Sequence, residues 1–168
     1  QVDAQGQNCI LLYGGSNQEI TRQEVDQALK GFGPGDYLIL QNEINCLDYI
    51  MEQGAKKGLS IVFNPSPIDE HISTLPLHLV SLLVFNEIEG AALAGTSEEG
   101  QILDILRSRW PSCQLLLTLG SHGCIYDDGT QRITQGVYRA KAVDTTAAGD
   151  TFTGYFVACL AAGMDAPS

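Results

Sequence analysis

One stretch carries the residue types that chemistry at a phosphate needs: Asp144, Thr145, Thr146, Ala147, Ala148, Gly149, Asp150, Thr151 and Phe152. Its small residues leave backbone N–H groups poorly shielded. Downstream, Phe152, Tyr155, Phe156, Cys159, Leu160 and Gly163 recur at the spacing of an amphipathic helix, which predicts that those N–H groups fall in a first helical turn. The unpaired donors of such a turn, with the helix dipole behind them, form an anion site. Asp150 sits in the same turn. A carboxylate there binds phosphate poorly but is well placed to take a proton from a hydroxyl facing the held anion. Phosphoryl transfer to an alcohol uses both parts. An ordinary helix start, where Asp is favoured by capping and the dipole alone, accounts for the same residues.

The rest of the chain must position that turn. Short apolar runs at residues 9–13, 37–41, 59–63, 82–85 and 115–119 predict strands, and most alternate with helical patterns. Thr21 followed by Glu24 predicts a capping box, and Val25 and Leu29 the buried face of the helix it opens. Leu47, Ile50, Met51 and Gly54 have helical spacing; further helices are expected from residue 86 to about 94 and over 97–109. Residues 68–79 read as irregular, interrupted by Pro76, and Asp127, Asp128 and Gly129 as the turn of a hairpin. Continuous apolar strands alternating with helices predict an α/β fold: a mostly parallel sheet with helices on both faces.

In such sheets ligands bind beyond the carboxyl ends of the strands. Polar clusters lie at those ends, at residues 14–17, 42–43, 64–66, 86–89 and 118–123, which predicts one long cleft. Two of them have a second reading. Asn86 and Glu89 fit a helix cap with its box partner, and Glu43 fits a solvated loop acid. The three histidines, His71, His78 and His122, are expected at the surface, outside any catalytic role.

The formal net charge of −11, with basic residues scattered, argues against a nucleic-acid surface or an anionic membrane patch. A phosphate would then be held by amides, a metal ion and few cations. Five widely spaced cysteines without a C-x-x-C pair suggest neither zinc nor a disulfide framework, and fit free thiols in a reducing compartment. No apolar segment of membrane-spanning length and no signal peptide is visible, so a cytoplasmic protein is expected. The chain of 168 residues starts at Gln1 and ends soon after the helix that follows Asp150, which suggests a piece of a longer protein.

The sequence resembles the ribokinase-like, or pfkB, carbohydrate kinases. Asp144 to Phe152 is similar to that family's C-terminal signature, Asn86-Glu87-Ile88-Glu89 to its Asn-x-x-Glu motif, and Thr118-Leu119-Gly120-Ser121-His122-Gly123 to its nucleotide loop. The resemblance covers nearly the whole chain, which corresponds to the middle and later part of such a kinase domain. The N-terminal sugar and lid segment and the C-terminal tail are absent from it.

Several roles are implied by the resemblance. Asp150 is the general base and a sugar contact, and the amides of Ala147, Ala148, Gly149 and Asp150 form the anion hole. Asn86 and Glu89 organise Mg²⁺ and its waters; Asn86, Thr118, Gly120, Ser121 and Gly123 serve ATP; Glu43 meets a sugar hydroxyl. Asp144 and Thr146 belong to a monovalent-cation loop, with K⁺ as the implied ion. The implied activity is ATP-dependent phosphorylation of the terminal hydroxyl of a sugar, ribose first, by a homodimer of the complete protein. Two other readings stand beside it: a kinase of another sugar or nucleoside, and a truncated, non-catalytic nucleotide-binding remnant.

Overall fold

The computed structural model of the protein describes residues 13–138 and 147–164. Six strands form one sheet in the order β1-β2-β3-β4-β5-β6: Tyr37–Gln41, Ser60–Asn64, Leu82–Asn86, Gln114–Thr118, Cys124–Asp127 and Arg132–Gln135. The first four are parallel, and β5 and β6 follow as antiparallel neighbours. The helices are α1 (Arg22–Ala28), α2 (Leu47–Lys56), α3 (Glu87–Ala94), α4 (Glu99–Arg109) and α5 (Ala148–Ala161).

Side chains alternate across the sheet, as a period of two requires. Ile61 and Phe63 of β2, Leu83 and Phe85 of β3, and Leu115 and Leu117 of β4 face α1 to α4 in one core. Val62, Leu82, Val84 and Leu116 face the other way, where Val157, Phe152, Phe156 and Leu160 of α5 meet them. Both faces are covered, as expected, but unequally. On the α5 side Ile39 of the edge strand β1 remains 54 % exposed.

The helix after Asp150 forms, with one correction to its inward face. Tyr155 is 74 % exposed, while Thr153 and Val157 are buried. Apolar spacing admits two stripes here, and packing onto Val84 and Tyr126 selects the one through residues 153 and 157. The face expected of α2 forms, with Leu47, Ile50, Met51 and Gly54 all buried. Residues 68–79 contain only short 3-10 turns, Glu70–Thr74 and Leu77–Leu79.

Asp127 is more than a turn residue. It is buried and accepts hydrogen bonds from Arg107 and Arg132, joining α4 to the hairpin. Burial pushes its carboxyl up, but bonds from Arg132, the Gly129 N–H and Arg107 outweigh that and hold it below the usual 3.8. Asp128 supplies the turn chemistry, its Oδ1 accepting from Thr130 and Gln131. Burial pushes the Cys113 thiol up to about 12, so it is chemically inert at neutral pH. Cys46, Cys113, Cys124 and Cys159 are free thiols. Among the described residues, no helix is long and apolar enough to cross a membrane.

Candidate active site

Strand register sets the floor of the site. Gln41 pairs with Asn64 and Asn86 with Thr118, so the last residues of four parallel strands reach the carboxyl edge of the sheet in two aligned pairs. A cleft of about 330 Å³ opens there, and Glu43, Asn86, Glu89, Thr118, the 147–149 turn and Asp150 all line it.

Asn86 ends β3 and caps α3. Its Oδ1 accepts from the Glu89 N–H at 2.9 Å, and Glu89 Oε2 accepts from the Asn86 N–H at 2.9 Å. The capping reading is therefore correct. It leaves the metal reading open, because the box engages one carboxylate oxygen and the residue still lines the cleft at 5 % exposure. Gly90 makes this placement possible: a Cβ there would stand 2.9 Å from the Phe85 ring and 3.0 Å from Ile102, closer than packing allows.

Opposite, Ala147 opens α5 in the left-handed region at φ 58° and has no side chain with which to cap. Its carbonyl accepts from the Thr151 N–H at 2.9 Å, so the N–H groups before Thr151 precede the first helical hydrogen bond. Asp150 in that turn faces the same cleft.

Glu43 is exposed, and its backbone is tied down: its N–H donates to Gln41 at 2.9 Å and its carbonyl accepts from Gln18 Nε2 at 3.2 Å. It also lines a neighbouring cavity of about 360 Å³ with Gly14, Asn17 and Asn42. On the other side, Thr118, Ala148 and Gly149 are shared with a cavity of about 520 Å³ walled by Gly120, Gly123, Val137, Tyr138 and Phe152. Gly123 has φ 104°, and a side chain there would run into the Gln135 carbonyl. The expected cleft is thus a series of three cavities along one edge.

Ser121 lies exposed on the short Gly120–His122 turn and is not among the residues lining the 520 Å³ cavity. Asp144 and Thr146 lie outside the described residues, as do residues 9–12 of the first expected strand. His71, His78 and His122 are exposed. Gln41, Asn64, Ser66 and Thr153, which have no individual role in the sequence reading, also line the cleft. The first three stood in or beside the polar clusters at strand ends. Thr153 was legible only as the residue one helical turn beyond Asp150.

A model of the pfkB family of carbohydrate kinases matches residues 1–167. The chain belongs to that family. It is 34 % identical to a ribokinase of Staphylococcus aureus (strain COL), over 98 % of this chain and 56 % of the relative. The ribokinase structure from Thermotoga maritima superposes with a TM-score of 0.77 at 30 % identity, over 98 % of this chain and 55 % of that one. Arabidopsis thaliana ribokinase, solved with ribose and ATP, gives 0.80 at 26 % identity over the same shares. The pfkB chain described here spans about half the length of the relatives it matches.

Proposed function

We propose that this chain is part of a single kinase domain that transfers the γ-phosphoryl group of ATP to the terminal hydroxyl of ribose, giving ribose 5-phosphate. One observation carries the reading: Asp150, the uncapped first turn of α5 and the Asn86–Glu89 pair line a single cleft. Similarity to ribokinases, one of them solved with ribose and ATP, supports the choice of substrates.

Asp150 accepts the proton of the sugar hydroxyl as its oxygen attacks the γ-phosphorus. The bond from that phosphorus to the bridging oxygen of ATP breaks, and ADP leaves. The N–H groups of Ala147, Ala148, Gly149 and Asp150 receive the charge that builds on the transferring group. Glu43 holds a sugar hydroxyl, and Thr118, Gly120 and Gly123 border the nucleotide, with Ser121 on the same turn. Among the described residues no cluster of three or more acidic, histidine or cysteine side chains could cage a metal ion. The single carboxylate of Glu89 beside Asn86 fits Mg²⁺ held through water, since that ion keeps several waters. Bound there, it would neutralise phosphate charge. A K⁺ site at Asp144 and Thr146, a homodimer and a cytoplasmic location belong to the same proposal for the complete protein.

The test is ADP release from the full-length protein across a panel of ribose, deoxyribose, hexoses and nucleosides. Release with ribose above the others is expected. ATP binding without release for any sugar would mean a non-catalytic nucleotide-binding remnant, and release with a nucleoside alone would reassign the substrate.

A further inference from the structure

Among the described residues, Thr153 is the one buried polar side chain of the cleft without a hydrogen bond. The residue is 7 % exposed, and its Oγ1 has no partner among the described residues. Helical threonines commonly bond back to a carbonyl one turn earlier. This one does not, so its hydroxyl carries the desolvation cost of burial with no return within the fold. A buried polar atom of that kind needs an explanation, and an ordered water or a ligand is one.

The position suggests which. Thr153 lies three residues after Asp150 on α5, on the same face. Such neighbours stand about 5–6 Å apart at Cβ. At that spacing one water, in O–H···O bonds of about 2.7–2.8 Å, can reach both side chains. The cleft is polar and large enough to hold it, with Asn86 and Glu89 also on its wall.

We infer that Thr153 is a positioning residue: its hydroxyl holds a water that donates to the Asp150 carboxylate and fixes the direction in which that carboxylate accepts the substrate proton. The inference rests on the proposed role of Asp150 as base.

The experiment uses the full-length protein and compares Thr153→Val, which keeps the shape, with Thr153→Ser, which keeps the hydroxyl. Valine is expected to lower kcat by about 3- to 10-fold, the range that one hydrogen bond corresponds to. The KM for sugar and the Kd for ATP should stay within about twofold, and serine should restore kcat. Unchanged kcat in the valine variant, with a raised Tm, would overturn the inference and leave Thr153 as an unpaired core hydroxyl. If valine does not fold, Thr153→Ala carries the same expectation and the same overturning result. Asp150→Asn separates the two levels. Near-normal turnover there removes the base role itself, whereas its loss beside a wild-type Thr153→Val removes only the water.

Discussion

Two helices begin in the same cleft, and they begin in opposite ways. At α3 the chain closes its own end: Asn86 and Glu89 satisfy each other's backbone N–H groups and place a carboxylate among them. At α5 Ala147 offers no side-chain cap, so the first-turn donors have no capping partner among the described residues. The first arrangement suits a cation and its waters, and the second suits an anion. A phosphate carrying a metal ion satisfies both at once. The capping box at α1 shows that the contrast is not one of motif. Thr21 and Glu24 make the same reciprocal bonds, yet they are exposed and line none of the three edge cavities.

The largest expected effect tests the open end. In the full-length protein Asp150→Asn should lower turnover by about 10²- to 10⁴-fold while ATP binding changes little. Steady-state kinetics with nucleotide titration would show it, and near-normal turnover would leave α5 an ordinary helix start. The closed end is next. Glu89→Gln keeps a residue that can complete the box but removes the charge, so it should cost about 10- to 100-fold in activity or Mg²⁺ affinity, with little change in Tm. A loss of stability with intact activity would reduce α3 to a cap.

Thr21→Ala should do the reverse, lowering stability by about 0.5–2 kcal/mol in denaturant melts with unchanged kinetics. That box also has a pH signature. Hydrogen bonds from the Thr21 N–H and hydroxyl hold Glu24 below its usual 4.5. A depressed carboxyl pKa stabilises the fold above the unfolded value, so this contribution should be full above about 4.5 and fade as the pH falls through the lowered value. Thr21→Ala should flatten the loss, measurable as Tm against pH. The smallest effect is Ala147→Gly, which relieves a left-handed alanine and should change stability by about 1 kcal/mol at most, because glycine also gains freedom when unfolded. A large loss of turnover in that variant would mean that the rigidity of the open turn matters as much as its donors.

Much of this was legible without coordinates. Strand and helix types follow from apolar spacing, and both boxes follow from Thr21-x-x-Glu24 and Asn86-x-x-Glu89, because capping is decided within four residues. The exposed face of α5 was not legible, since Tyr155 and Val157 are both apolar and only the facing strands choose between them. Thr153 was missed for a related reason. A threonine inside a helix says nothing of burial until the helix is docked. The ion pair of Asp127 with Arg107 was hidden because its partners lie twenty residues apart in the chain.

What the sequence determined by itself was the set of parts: small residues before Asp150, a cap at Asn86 and a glycine turn after Thr118, each fixed by local sterics and hydrogen bonding. The strand ends already predicted a cleft; the tertiary structure decided how these parts are arranged around it. Parallel pairing brought Asn86 level with Thr118, and Gly90 let α3 lie close against Phe85. Packing of α5 on the far face brought Asp150 to the same edge from the other end of the chain. Local rules specify what each end can bind; the register of the sheet and the packing of α5 specify that the two ends face one cleft.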